Sequence, residues 1–288
     1  MFESAELGHR LSKADYEVIE PDLRTHLLNA QFELLEKKGF ATVVLINGID
    51  GAGRGETVNL LNEWMDPRHI RTEAFGPESD EGPGHPEMAR FWTALPPKGH
   101  MGIFFGSWYT APILSHAMAG DKKARFLQRL EAIRHFERML VAEGVLLVKF
   151  WFHLSKEGQK TRLKALEKDP RTAWRVTKES YDRLKTYGKL QEVAGHVLRV
   201  TNTAHAPWII VEGTDDEYRS LTVGRIVLDA MKRRLGQEGL QRVPVAPPIV
   251  HPIDKKNVLS ELDLTQKLSK KTYETHLAKY QARLSELV

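Results

Sequence analysis

The residues of this chain whose types and spacing could do chemistry are concentrated in Gly48-Ile49-Asp50-Gly51-Ala52-Gly53-Arg54-Gly55-Glu56-Thr57. Glycines let such a loop turn several backbone N–H groups inward around one phosphate, where side chains would block the approach. Val58, Leu60, Leu61 and Trp64 follow at helical spacing, so the loop opens a helix whose N-terminal dipole also favours an anion. The candidate phosphate-binding set is therefore Gly48, Gly51, Ala52, Gly53, Gly55, Glu56 and Thr57, with Asp50 and Arg54 as the charged groups inside it. The pattern departs from Gly-x4-Gly-Lys-Ser/Thr at two places. Arg54 keeps positive charge, but its planar fork is no simple substitute for a compact ammonium. Gly55 lacks the hydroxyl that would hold Mg²⁺. A glycine-rich turn without a ligand is the alternative reading of the same residues.

Phosphoryl transfer on such a loop also calls for a carboxylate at the end of a neighbouring strand, to hold the metal that neutralises developing charge. The run Met101–Phe105 ends in Gly106-Ser107-Trp108-Tyr109 and supplies none. Asp50 is the best remaining carboxylate, and two roles stay open for it: metal ligand, or cap of the turn. A basic stretch follows further on. Between Lys149 and Lys189 there are twelve Lys/Arg against five acids, including Lys156, Arg171 and Arg175. Such a patch could guide a polyanion; solvated helix faces are the alternative. Aromatic residues are not interleaved through it as a stacking platform for single-stranded nucleic acid requires.

The elements that must position these groups alternate. Ser12 as N-cap, with Tyr16, Ile19, Leu23, Leu27, Ala30 and Leu34 at helical spacing, predicts a long helix over 12–38. Ala41–Asn47 is a short run too apolar for a half-exposed strand and suits the centre of a parallel sheet covered on both faces. Similar runs stand at 101–105, 145–152 and 208–212, with a weaker one at 71–75. Helical stretches at about 55–65, 86–95, 122–143, 156–168, 177–200 and 216–235 separate them. This is an α/β pattern with a parallel sheet of about five strands, the loop at the carboxyl edge of the first, and a helical lid at about 156–190.

These elements fill residues 1–236. From 237 to 268 a linker is expected, because four prolines between Pro244 and Pro252 exclude a helix. Residues 269–288 then read as an amphipathic helix with Tyr273, Leu277, Tyr280, Leu284 and Leu287 on one face. Leu268-Ser269-Lys270-Lys271-Thr272-Tyr273-Glu274 repeats five of the seven residues of Leu11-Ser12-Lys13-Ala14-Asp15-Tyr16-Glu17. Coincidence between two N-caps and the start of a second repeat both account for this. An apolar stripe of that kind needs cover, which points to a homo-oligomer or a partner unit.

Composition narrows the classes. Among 288 residues there is no cysteine, which excludes disulfides and thiolate metal sites. Forty-two Lys+Arg against 38 Asp+Glu give a formal charge of +4, too mild to indicate DNA binding by itself. No run reaches the ~18–20 apolar residues of a membrane span, and acids stand at the start where a secretory signal needs positive charge. A cytoplasmic location is expected.

At these residues the chain resembles the polyphosphate kinase 2 family, and most closely its tandem members, polyphosphate:AMP phosphotransferases built from two such units. The family loop Gly-x-Asp-x-Ala-Gly-Lys-Gly is matched by Gly48, Asp50, Ala52, Gly53 and Gly55, with Arg54 in place of lysine. Phe91-Trp92, Leu95-Pro96-Pro97-x-Gly99, Ser107-Trp108-Tyr109, Phe150 to Lys156, Asp169-Pro170 with Trp174, and Ala206-Pro207-Trp208 follow in family order. The family's second motif, Phe-Asp-Arg-Ser-Trp-Tyr-Asn-Arg, is here Phe104-Phe105-Gly106-Ser107-Trp108-Tyr109-Thr110-Ala111, without the aspartate or either arginine. The resemblance implies a three-layer P-loop kinase fold, polyphosphate as donor, AMP as acceptor giving ADP, and Mg²⁺. It also implies that Arg171 and Arg175 close from the lid. The lost residues point to a degenerate unit serving assembly or anion binding; an active polyphosphate-dependent nucleotide kinase is the alternative.

Overall fold

The structure, a computed structural model, describes residues 1–76, 86–236, 265 and 267–285. The chain divides into two compact units, Met1–Lys256 and Asn257–Val288. In the first unit, helix α1 (Lys13–Lys37) starts where Ser12 accepts a hydrogen bond from the Asp15 amide at 3.1 Å and stops at Lys38, whose φ is +51°. Strand β1 (Thr42–Gly48) follows, then the glycine loop and α2 (Arg54–Trp64). Next come β2 (Ile70–Ala74), α3 (Ala89–Ala94), β3 (Met101–Phe105) and the short α4 (Thr110–Leu114). The second half runs α5 (Lys123–Ala142), β4 (Leu146–His153), α6 (Lys156–Lys168), α7 (Lys178–Lys185), α8 (Tyr187–Thr201), β5 (Trp208–Glu212) and α9 (Asp216–Leu235).

The five strands form one sheet in the order β2-β3-β1-β4-β5, and every pairing is parallel. β1 is central, with Val44 opposite Ile103 on one side and Val148 on the other. Its residues alternate between two cores. Val44 and Ile46 pack with α1, α2 and α9 through Leu27, Leu61, Leu221 and Val227. Val43 and Leu45 pack with α3, α5 and α8 through Phe91, Ile133 and Val197. The result is three layers, α/β/α, and it accounts for the β-branched apolar run at 42–46: each residue meets a helix on its own face.

The strand expected from the weak signal at 71–75 is β2, an edge strand whose residues Arg71 and Thr72 face solvent and need no apolar side chains. Two local features differ from the sequence expectation. The helix expected over 86–95 spans only Ala89–Ala94. The single helix expected over 177–200 is two helices. Thr186 ends α7 with its hydroxyl on the Asp182 carbonyl at 3.1 Å, and Tyr187, donating to the Leu154 carbonyl at 2.9 Å, draws α8 into the core. In the second unit, α10 (Lys270–Ser285) carries Tyr273, Leu277 and Tyr280 at helical spacing. The expected linker falls almost wholly outside the described residues, as do the side chain of Leu284 and all of Leu287.

Candidate functional site

The loop between β1 and α2 is shaped by three glycines with positive φ: Gly48 (+141°), Gly51 (+82°) and Gly53 (+84°). At Gly48 a Cβ would lie 2.2 Å from the Phe152 carbonyl oxygen, so the adjacent strand excludes any side chain. The Ile49 amide donates to that same carbonyl at 2.9 Å, and the Ala52 amide donates to the Ile49 carbonyl at 3.3 Å. Ala52 itself is buried against Gly213, where a Cβ would approach the Ala52 oxygen to 2.5 Å. The first-turn amides of α2, from Arg54 to Glu56, open at the mouth of the loop as helix N-termini do. Thr57 is buried, and its hydroxyl donates to the Gly53 carbonyl at 2.9 Å, so it braces the turn rather than facing the loop.

The charged groups of the loop are held by arginines from both sides. Asp50 accepts from the Arg54 Nη2 at 2.5 Å through Oδ1 and from the Arg183 Nη1 at 2.6 Å through Oδ2. Arg54 bends back over Asp50 and lies 5.3 Å from the Phe105 ring centroid. Burial lowers its pKa below the ordinary arginine value, and the Asp50 carboxylate opposes that shift. Glu56 accepts from the Arg175 Nη2 at 3.1 Å, with the Arg162 Nη2 at 3.7 Å. Of the three lid residues singled out in the sequence, Arg175 alone reaches the loop. Arg171 instead makes a bidentate pair with Asp169, its Nη2 at 2.8 Å, and Lys156 is exposed at the start of α6.

A cavity of about 440 Å³ opens beside the loop, at the carboxyl ends of β1 and β3. Asn47, Asp50, Arg54 and Arg183 form one wall, and Phe105, Gly106, Thr110 and Ala111 form another. Phe105, Gly106, Thr110 and Ala111 carry no charge, while Arg90 and Arg129 line the same cavity. Ser107 lines it as well, whereas the adjacent Trp108 and Tyr109 turn away from it into the fold. Ser107 donates to Asn47 Oδ1 at 2.9 Å, while Trp108 Nε1 and the Tyr109 hydroxyl both donate to Glu137 Oε1, at 3.1 and 2.6 Å. Lys149, fully buried in mid-sheet, completes this cluster with bonds to Glu137 Oε2 at 2.8 Å and the Thr201 carbonyl at 2.9 Å. Burial lowers the Lys149 pKa against the pull of Glu137, and burial together with Glu137 raises that of Tyr109 well above its ordinary value.

Mg²⁺ at a phosphate loop is held by one or two carboxylates together with substrate phosphates and water. The carboxylate inside this loop is not free for it. Both oxygens of Asp50 are taken by arginines, the Thr57 hydroxyl is turned to a backbone carbonyl, and position 105 is a phenylalanine. Among the described residues no group of three or more His, Asp or Glu could hold a metal ion.

Sequence reasoning overlooked Arg162 and Arg183, which it counted only within a charge excess, and Arg219. Arg219 lies on α9, and its guanidinium is packed against Gly53. No local spacing marks these three, because each meets the loop from a distant part of the chain. At the β4–β5 end of the same sheet edge, residues 1–11 are tied down. The amides of Gly8 and His9 donate to the buried Glu212 carboxylate at 3.1 and 3.3 Å, and His153 Nε2 pairs with Glu6 at 2.7 Å.

This arrangement has close counterparts. The chain is 48% identical, over its whole length, to a polyphosphate:AMP phosphotransferase of Pseudomonas aeruginosa, and 44% identical over 99% of its length to one of Pseudomonas syringae pv. tomato. It spans 58% and 57% of the length of those two relatives. The crystal structure of polyphosphate kinase 2 from Arthrobacter aurescens TC1 superposes with a TM-score of 0.74 at 26% identity, covering 86% of this chain and 87% of that one. The fold is accordingly the P-loop kinase-like one. No helix among the described residues is long and apolar enough to cross a membrane. The polyphosphate kinase 2 (PPK2) pattern matches residues 10–239, which takes in the whole parallel sheet and the glycine loop, and the chain belongs to the polyphosphate kinase 2 family.

Proposed function

We propose that this chain is one unit of a polyphosphate:AMP phosphotransferase, the enzyme type that transfers a phosphoryl group from polyphosphate to AMP and yields ADP. In this unit the loop binds the polyanion and the fold serves assembly, while turnover belongs to another unit of the same family. The observation that carries the reading is the set of uncharged residues that line the cavity at the positions of the charged second motif. Where the family motif has an aspartate, two arginines and an asparagine, Phe105, Gly106, Ala111 and Thr110 face the space beside the loop. Phosphoryl transfer depends almost wholly on positioned charge, and loss of one such group costs ~10³–10⁵ in rate in well-studied cases. Three such losses, with Asp50 clamped by Arg54 and Arg183, remove the motif groups that would bring Mg²⁺ and acceptor together.

Anion binding is supported by charge. Arg54, Arg162, Arg175 and Arg183 converge on a loop whose carboxylates are Asp50 and Glu56, so the cluster keeps a net positive charge for a polyphosphate chain to neutralise. Arg175 and Arg183 then act as the lid contacts. The recurrence of the Leu-Ser-Lys-x-x-Tyr-Glu signature at Leu268, at the head of α10, supports a second unit in the longer protein, with α10 as its opening helix. The purified chain, incubated with polyphosphate, AMP and Mg²⁺, should bind polyphosphate in a salt-sensitive manner and form no ADP above background. Turnover near an ordinary enzyme rate, about 1 per second or more, would instead make this unit a nucleotide kinase in its own right.

A further inference from the structure

Arg219 is an arginine buried where the reading above gives it no task. It is 2% exposed, on the first turn of α9, and its guanidinium fills the space that a Cβ at Gly53 would occupy: Cζ, Nη1 and Nε lie 2.1, 2.2 and 2.4 Å from that position. Its Nη1 donates to Asp216 Oδ1 at 2.8 Å and weakly to the Gly213 carbonyl at 3.4 Å. Its Nε is buried without any partner among the described residues. A buried cation with an unused donor is costly unless its charge does something there. The offsetting acid, Asp216, has a side chain 55% exposed, so water screens much of its compensation.

The geometry points to Arg219 as the fixed positive charge of the anion loop, a positioning residue that holds Gly53 in its left-handed turn and supports a bound phosphate from behind. Arg54, the charge within the loop, is bent onto Asp50 and Phe105, whereas Arg219 is buried against Gly53 and bonded to Asp216. A fixed charge is worth more to a ligand than a mobile one because no side-chain ordering accompanies binding. This inference rests on the loop binding polyphosphate, as proposed above.

The test is calorimetric titration of the full chain with inorganic tripolyphosphate, in EDTA at low salt, with thermal unfolding recorded in parallel. Arg219→Gln should weaken binding about tenfold, from a unit charge acting over roughly 7 Å at an effective dielectric near 20–40. Arg219→Lys, which keeps the charge, should bind within about threefold of the unaltered chain, and Asp216→Asn, which removes the screening acid from an exposed site, should bind about threefold more tightly. A merely structural arginine would show neither the lysine rescue nor the opposite sign at Asp216. Unchanged affinity in a folded Arg219→Gln chain overturns the inference. If that variant does not fold, weaker or unaltered binding by Asp216→Asn overturns it. Binding by the unaltered chain with no response to these substitutions defeats this inference alone; no binding by the unaltered chain defeats the polyphosphate reading as well.

Discussion

Replacing Asp50 by asparagine separates the two roles that a carboxylate in this loop can have. If Asp50 is the counter-ion of an anion site, it competes with the ligand for Arg54 and Arg183. It holds them through charge-assisted bonds of 2.5 and 2.6 Å. Such bonds are worth about 1.5–3 kcal/mol each, and with all three side chains partly exposed the lower figure applies. An asparagine retains one oxygen acceptor, so the substitution releases about one of the two bonds, some ~1.5 kcal/mol, which is about tenfold in affinity. Tripolyphosphate titrated into Asp50→Asn in EDTA should therefore bind about tenfold more tightly than to the unaltered chain, with a lower melting temperature because one of the two arginines has lost its partner. If Asp50 instead holds Mg²⁺ to the phosphates, the same substitution weakens binding in Mg²⁺ and does not strengthen it in EDTA. That outcome would refute the counter-ion reasoning and restore a catalytic loop.

Three further outcomes follow from the same contacts. Glu137→Leu strands Lys149, Trp108 Nε1 and the Tyr109 hydroxyl together and should cost about 3–5 kcal/mol in urea unfolding. Lys149→Met leaves Glu137 with two donors and should cost less, so the reverse order would contradict the assignment of Glu137 as the hub. Burial holds the His153 ring below its ordinary pKa, opposed by Glu6, which bonds to it, and by the nearby Glu212; the N-terminal amine adds to the lowering. The unfolded chain therefore takes up the proton first. Stability from this group is complete above about pH 6.5 and is lost as pH falls from there through the folded-state value. Melting curves at about pH 7 and about pH 5 should differ less for His153→Gln than for the unaltered chain. Deleting residues 264–288 should lower the oligomeric mass in light scattering, because an apolar stripe such as Tyr273, Leu277 and Tyr280 needs cover that a second copy of the chain would supply; an unchanged mass would remove that role.

The sheet was legible because burial on both faces imposes a composition. Val43–Ile46, Phe150–Phe152 and Met101–Phe104 are apolar without alternation, which a central parallel strand requires and a half-exposed strand does not. β2 gave a weak signal for the same reason, since an edge strand is not held to that composition. The break at Thr186 was not legible, because helical spacing continues across it and what turns the chain is a hydrogen bond from Tyr187 to a carbonyl in another element. Within the site, Gly48 and Gly53 stood out because positive φ and close approach leave glycine alone acceptable there. Arg183 and Arg219 did not, because a lone arginine on a helix carries no mark of the loop it touches. Arg171, expected to close from the lid, is engaged by the nearby Asp169 instead.

The account stands or falls on whether bound polyphosphate and AMP react on this unit. The direct measurement is a single-turnover experiment: the chain in excess over labelled AMP, with saturating polyphosphate and Mg²⁺, quenched at intervals from seconds to hours. With the charges of the second motif replaced by Phe105, Gly106, Thr110 and Ala111, the account predicts polyphosphate retained on the protein and ADP formation slower than about 10⁻³ per second. Conversion of the AMP to ADP within the first seconds would contradict it.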